Sequence, residues 1–413
     1  MDSNDSVRPQ ESYPLALPSP EMVGISNTSA PHLDAKERVS HFLTNEVFMK
    51  TNTVQATKPL LAVHLPDWSK GNPYQQLLAD AITRNNWQVI LHDYDKSPFS
   101  LQRTLAKYPD ARILHLHWIA PLTSEMIWSK QVPVYWLRLG LLVLDLLICK
   151  LRRRKIVWTV HNKLSHESAN PKRERTTRRL LSNIVDHMIF HSLSARRSFD
   201  EDVSITKDGH ASIIPHGNYI GIYEASTEVE ERLVRQLRID DKCTVILFFG
   251  KLRAYKGVEQ LIRAFSKAPN PNLRLIVAGK PANPQASSEI ETAANEDPRI
   301  ISYLGFVPEE EVAPLHRLAH VIAIPFEQTL TSGSVILAMS LGKPLLLPET
   351  AKVLDIVDEH SALLFSDQEQ LVEHLNNLPR LDLQEMGLRN ISTARTLDWD
   401  DIGRKVAAVY EKQ

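Results

Sequence analysis

Two short segments of the chain carry side chains suited to gripping an anion. The first, Phe249-Gly-Lys-Leu-Arg-Ala-Tyr-Lys-Gly257, follows the apolar run Val245–Phe249 and precedes a helical pattern over Val258–Ala268. A strand that feeds a cation-bearing loop into a helix N-terminus points backbone N–H groups and the positive end of the helix dipole at the anion, while the cations neutralise it. Gly250, Arg253, Lys256 and Gly257 are the candidate contacts. The second segment, Leu330-Thr-Ser-Gly-Ser-Val335, starts a helix that runs through Leu341. Thr331, Ser332 and Ser334 offer hydroxyls and amides, and Gly333 permits close backbone approach. A hydroxyl before a helix also serves as a simple N-cap, so both readings stand for this loop. His117 and His161 each follow an apolar run, where a histidine in a cleft acts as a base or holds a substrate hydroxyl. Glu167, just beyond His161, is the carboxylate best suited to remove a proton. His216 lies between the two halves of the chain, within reach of a bound phosphate. Asp67 and Trp68 follow the first run, and the indole offers a face on which a ring can stack.

These residues need a scaffold that brings run-ends together. Short apolar runs recur at Leu60–Leu65, Val89–His92, Ile113–Leu116, Ile156–Val160, Met188–Phe190 and Ile213–Ile214, then at Val245–Phe249, Leu273–Ala278, Val321–Pro325 and Leu345–Leu347. Continuous runs of this length, alternating with helical segments, are the mark of parallel strands buried on both faces. Two series predict two doubly wound Rossmann-like α/β domains, over 58–220 and 221–385, with a linker near Gly217–Ser226. Ligands of such sheets bind beyond the carboxyl ends of the strands. The remaining 386–413 is expected to form a C-terminal helix that packs back toward the first domain. Residues 1–57, rich in Ser, Asn and Pro, have no sustained period and are expected to be mostly disordered, with a helical piece near 34–49.

Composition narrows the function classes. A chain of 413 residues, 43% hydrophobic and 23% charged with net charge −1, is not a mostly disordered protein. Two cysteines, Cys149 and Cys243, are too few for a disulfide scaffold and suit a reducing compartment. The polar, acidic start lacks the features of a signal peptide. No His/Cys cluster has zinc spacing, and nothing points to nucleic acid. Charge is uneven: 58–215 holds 23 Lys/Arg against 14 Asp/Glu, whereas 216–413 holds 21 against 28. A basic first half suits an anionic partner, either a phosphate-bearing acceptor or a membrane surface. The apolar segment Val132–Ile148 holds Arg138 and Asp145, and Arg152-Arg-Arg-Lys155 follows it. It reads either as a helix packed on the first sheet or as an amphipathic helix lying on an anionic leaflet, not as a span. Lys172, Arg173, Arg175, Arg178 and Arg179 form a second basic cluster.

In order, the basic loop, Leu273-Arg-Leu-Ile-Val-Ala-Gly279 and Ala338-Met-Ser-Leu-Gly-Lys-Pro344 resemble the donor domain of GT-B glycosyltransferases. Retaining members of the large family with this pattern carry two glutamates eight positions apart. Those positions fall here on Thr329 and Leu337. The chain more narrowly resembles the β-1,4-mannosyltransferases of xanthan-type polysaccharide assembly, which lack those glutamates. That likeness covers roughly 60–350 and includes Asn72-Pro-Tyr74, Leu114-His-Leu-His-Trp118, Thr159-Val-His-Asn162 with His166-Glu167, Pro215-His-Gly-Asn-Tyr219, Arg253-Ala-Tyr-Lys-Gly-Val-Glu259 and Ser332-Gly333. The resemblance implies a GT-B architecture, two parallel-sheet domains facing a cleft. It also implies a nucleotide sugar, GDP-mannose in that family, as co-substrate with no cofactor or metal, and a glycan or lipid-linked acceptor near Asp67, Trp68, Asn72 and Tyr74. The family's loop arginine coincides with Arg253, which leaves Lys251 a spectator. Asp93-Tyr-Asp95 follows a first-domain strand and is discounted as a metal motif. The expected setting is the cytoplasm, with peripheral contact at the inner face of the cytoplasmic membrane. A retaining transferase, a nucleotide-sugar epimerase and a non-catalytic nucleotide-binding relative are the alternatives.

Overall fold

The computed structural model describes residues 59–95, 97–164, 170–204, 209–326 and 329–412. The expectations for 1–57 and for Glu167 lie outside these residues. The first half runs β1 (Leu60–Leu65), α1 (Tyr74–Thr83), β2 (Trp87–Leu91), α2 (Ser100–Lys107), β3 (Ala111–Leu116), α3 (Ala120–Ile127) and α4 (Val132–Leu151). It continues through β4 (Lys155–Thr159), α5 (Pro171–Ile184), β5 (His187–Phe190), α6 (Leu193–Val203) and β6 (Ala211–Ile213). The second half begins with α7 (Thr227–Leu237), β7 (Thr244–Phe249), α8 (Val258–Lys267), β8 (Leu273–Gly279), α9 (Pro284–Glu296) and β9 (Ile300–Leu304). Then follow α10 (Glu309–Leu318), β10 (Val321–Ala323), α11 (Gly333–Ser340), β11 (Leu345–Pro348), β12 (Ala362–Phe365), α12 (Gln368–Asn377), α13 (Leu383–Arg395) and α14 (Trp399–Glu411).

The strands form two parallel six-stranded sheets, ordered β2-β1-β3-β4-β5-β6 and β12-β11-β10-β7-β8-β9. Each order reverses direction once, between β1 and β3 in the first sheet and between β7 and β10 in the second. A crevice opens at such a switch point because the two flanking connections leave on opposite faces. This is the expected pair of doubly wound sheets. Each of the ten apolar runs contributes to a strand. Two further strands, β9 and β12, occupy the edges of the second sheet. Half of an edge strand's surroundings is solvent, so Ile300-Ile-Ser-Tyr-Leu304 alternates instead of running continuously apolar.

Both faces of the first sheet are covered. One core packs Leu114, Leu116, Trp158 and Phe190 against Tyr135, Leu139, Leu146 and Cys149 of α4. The other packs Ala62, Ile113, Val157 and Ile189 against α1 and against Ile402, Val406, Val409 and Tyr410 of α14. The C-terminal helix thus lies on the first sheet, in contact with α1. Gly403 permits this approach, since a Cβ there would sit 2.4 Å from the Ala81 carbonyl oxygen.

By length and composition α4 could cross a bilayer. Its packing argues that it does not. Tyr135, Leu139, Leu142, Leu146 and Cys149 recur at helical spacing and are buried. Stripping them from the core would cost on the order of 1.5–3 kcal/mol for each large side chain. Asp145, buried in the same helix, accepts hydrogen bonds from the Leu101 and Gln102 amides at the start of α2, at 2.9 and 3.2 Å. The opposite face of α4 is open: Trp136, Leu137, Leu144, Leu147 and Leu151 are exposed.

Candidate active site

The segments that follow the strand ends converge on one cleft of about 820 Å³ between the two sheets. From the first sheet come Asp67 and Trp68 after β1, Trp118 after β3, His161 after β4 and His216 after β6. From the second come Gly250, Lys251, Arg253, Tyr255 and Lys256 after β7, and Thr331, Gly333 and Ser334 after β10.

The second-sheet wall is cationic. A single 3-10 turn, Ala254–Lys256, carries the loop into α8. Burial, followed by the charges of Arg253 and Lys251, pulls the Lys256 ammonium down to about 8. A bound anion would favour the Lys256 charge that these neighbours disfavour. Lys251, expected to be a spectator, also lines the cleft, and its charge acts on Lys256. Gly257 does not line the cleft. It caps α8 at φ 72°, and a Cβ there would lie 1.9 Å from the Pro325 carbonyl oxygen, so its small size seats the loop against the end of β10. In the second loop the Ser332 hydroxyl is spent on capping, accepting from the Val335 amide at 3.3 Å. Thr331, Gly333 and Ser334 face the cleft at the positive end of α11. Leu337 also faces it, so the position of the second family glutamate presents an apolar side chain to the site.

The first-sheet wall is aromatic. Trp68, 42% exposed, stacks on Trp118 with ring centroids 4.8 Å apart, and Trp118 stacks on His161 at 4.4 Å. The result is a three-ring ladder from the cleft mouth to an imidazole. Trp118 was absent from the residues expected at the site, although it directly follows His117 in the Leu114-His-Leu-His-Trp118 motif at a strand end. Tyr74 is buried, with its ring 5.3 Å from His161 and 4.5 Å from His216. The Asn72 carboxamide oxygen accepts from the Tyr74 amide, and the Asp67 carboxylate accepts from the Ser69 amide and hydroxyl. Both side chains thus shape the loop before α1 as well as lining the cleft. Glu174, a buried carboxylate that lines the cleft, is bound by Arg178 at 2.8 Å, and Arg178 also donates to the Asn162 carbonyl.

His117 does not line the cleft. It lies behind His161, with Nδ1 3.3 Å from His161 Nε2, so it reaches a substrate only through that ring. His216 donates from Nδ1 to the Gly217 carbonyl at 2.7 Å, which leaves Nε2 as an acceptor facing the Tyr219 hydroxyl at 3.4 Å. Burial lowers the pKa of His216 to about 3 and that of His191 to about 4, and holds His117 and His161 well below the ordinary value. The cleft therefore offers neutral imidazoles near neutral pH. Ring nitrogens of His64, His115 and His117 lie within 4.8 Å of one another, a separation that metal ligands also show. His117 is hydrogen-bonded to His64, and the Tyr410 hydroxyl lies between His64 and His115.

Comparison with known proteins agrees with this geometry. Residues 243–380 match the family described as glycosyl transferases group 1. The chain is 30% identical over 268 residues to a GDP-mannose:glycolipid 4-beta-D-mannosyltransferase of Xanthomonas campestris pv. campestris, covering 63% of this chain and 67% of that one. It is 26% identical over 225 residues to a D-inositol 3-phosphate glycosyltransferase of Corynebacterium glutamicum, covering 48% and 51%. Among solved structures, Anabaena HepE in complex with UDP and glucose superposes with a TM-score of 0.65 at 15% identity, covering 84% of this chain and 98% of HepE. Sucrose-phosphate synthase of Thermosynechococcus elongatus superposes equally well, with a TM-score of 0.65 at 16% identity over 85% and 98%. At such identities these two structures speak for the fold alone.

Proposed function

Because the chain belongs to the group 1 glycosyltransferases and is a nucleotide-sugar-dependent hexosyltransferase, we propose that it moves mannose from GDP-mannose to a lipid-linked glycan with inversion at the anomeric carbon. The observation that carries this reading is the pairing of two unlike walls across one cleft. Three cations and a helix N-terminus lie on one side, and a tryptophan ladder ending in a neutral imidazole lies on the other. In the proposed step His161 takes the proton from an acceptor hydroxyl stacked over Trp68 and Trp118. The acceptor oxygen bonds to the anomeric carbon as the bond to the diphosphate breaks. The departing electron pair leaves with the diphosphate, and Arg253, Lys256 and the amides of Gly333 and Ser334 meet its charge. Leu337 and Thr329, at the family's glutamate positions, favour inversion by such a base. The first half would hold the acceptor and the second half the donor.

Mannose and a glycolipid acceptor follow from the 30% relative, whose name specifies both. A lipid-linked acceptor also suits the open apolar face of α4, with Trp128 exposed between that helix and the cleft. We read this face as the contact with an anionic leaflet. Fewer basic residues are available there than the sequence suggests. Arg154 donates to the Pro109 carbonyl and Lys155 to the Val409 carbonyl, Arg173 is hydrogen-bonded to Ser129, and Arg175 and Arg178 pair with Asp202 and Glu174.

The test is to incubate the purified chain with GDP-mannose or UDP-glucose, with and without a bacterial membrane lipid extract, and to identify the products by mass spectrometry and NMR. A β-mannosylated lipid formed only when both substrates are present is expected. Use of UDP-glucose with GDP-mannose untouched rejects the donor, an α-linked product rejects inversion, and donor conversion without lipid points to an epimerase.

A further inference from the structure

Behind His161 the first sheet holds a continuous line of hydrogen bonds that passes through the C-terminal helix and turns back to Thr159, two positions before His161. His161 Nε2 is 3.3 Å from His117 Nδ1, and His117 Nε2 is 3.2 Å from His64 Nδ1. His64 Nε2 is 2.8 Å from the Tyr410 hydroxyl, which is 2.6 Å from His115 Nδ1. His115 Nε2 is 2.7 Å from the Thr159 hydroxyl. His64, His115, His117 and Thr159 are at most 1% exposed, and Tyr410 is 4% exposed, so water does not substitute for any of these partners. Each imidazole is threaded in the same direction, entered at Nδ1 and left at Nε2.

A neutral imidazole has one N–H and one lone pair, and a hydroxyl has one O–H to donate. Burial keeps the four rings neutral. Every link then needs one donor and one acceptor, and each imidazole, having one N–H, passes the direction on unchanged; the Tyr410 hydroxyl can accept from both sides, but its own O–H would then have no partner among the described residues. A ring set in the opposite sense would bring two lone pairs or two N–H groups face to face inside the core. Two arrangements satisfy every link and also give the Tyr410 O–H a partner: all four histidines as Nε2–H, or all four as Nδ1–H. In the first, His161 Nδ1, the ring nitrogen outside the line, carries a lone pair. In the second it carries a proton and cannot accept another.

We propose that Tyr410, His64 and His115 are positioning residues that hold His117 and His161 in the Nε2–H tautomer, leaving His161 Nδ1 as the proton acceptor for the transferred-to hydroxyl. The inference rests on the reading of His161 as the acceptor-side base. It gives the C-terminal helix, which does not line the cleft, a direct bearing on the chemistry, because the Tyr410 hydroxyl is the link between His64 and His115. Thr159, whose hydroxyl accepts from His115 Nε2–H, closes the far end.

The experiment uses the full chain labelled with 15N-histidine. Long-range 1H–15N spectra near pH 7.5 distinguish Nδ1–H from Nε2–H. Wild type is expected to show His64, His115, His117 and His161 all as Nε2–H. Tyr410→Phe keeps the ring but removes the central link. It is expected to give mixed tautomers at His161 and to lower kcat for mannosyl transfer at least tenfold, with KM for GDP-mannose within twofold. Mixed senses among the four histidines of wild type overturn the proposal even if the variant fails to fold, as does an unchanged His161 tautomer in Tyr410→Phe. All four as Nδ1–H overturns His161 Nδ1 as the acceptor. A changed tautomer with unchanged kcat separates the two readings: the line then holds, and His161 is not the base.

Discussion

Lys256 carries the plainest expectations at the scale of single residues. Its ammonium sits at about 8 because burial and two neighbouring cations disfavour its charge. Below that pH it is protonated and available to a diphosphate; above it the charge is lost. kcat/KM, which reports the free enzyme, should therefore fall about tenfold per pH unit above about pH 8. Lys256→Arg keeps a cation that stays charged well above this range and should move that limb upward. A limb that stays in place in the arginine variant belongs to another group. Arg253→Ala and Lys256→Ala should each lower turnover by about 10²–10³ while circular dichroism and melting stay as in wild type. Near-normal turnover in both would remove the cationic wall from the mechanism.

At the scale of elements, α4 is bound to the protein on one face and bare on the other. Leu137 and Leu144, 65% and 46% exposed, lie two turns apart on the bare face. Replacing both with aspartate should abolish co-sedimentation with vesicles containing anionic lipid while leaving the melting temperature unchanged. Retained binding of that double variant would clear α4 of any role at a membrane. Because several nearby arginines are engaged inside the protein, binding should depend on salt less steeply than the basic sequence suggests, each available cation adding about 1 kcal/mol. The first half's positive charge was visible in the sequence, but its uses were not. Arg175 finds Asp202 and Lys155 finds the end of α14 only once the chain has folded.

The whole molecule carries a concentration of neutral histidines in and just after the strands of the first sheet: His64, His115, His117, His161 and His216, which are buried, and His191, which is half-buried. Their folded pKa values lie below the ordinary value near 6.5, so between the two the unfolded chain binds more protons. Stability is then full above pH 6.5 and falls as pH drops below it, by about 1.4 kcal/mol per pH unit for each histidine. Acting together, the six make that fall steep. Urea midpoints should be flat from pH 7 to 8 and fall steeply between pH 6.5 and 5. A midpoint that is level across that lower range would contradict the buried, neutral state of these rings. Of this architecture the sequence alone determined much: doubly buried parallel strands write continuous apolar runs, and the cation-bearing loop follows its strand directly, so the sheets and the place of Arg253 and Lys256 beyond a strand end were legible. Edge strands β9 and β12 were less so, since partial solvation weakens their pattern. What only the tertiary structure decided is how distant residues meet. His64 and Tyr410 are 346 positions apart and hydrogen-bond because α14 returns to the first sheet. Trp68, Trp118 and His161 become one ladder because β1, β3 and β4 lie side by side. Local periodicity records which face of an element is buried; it holds no record of which side chains from other strands will share that burial.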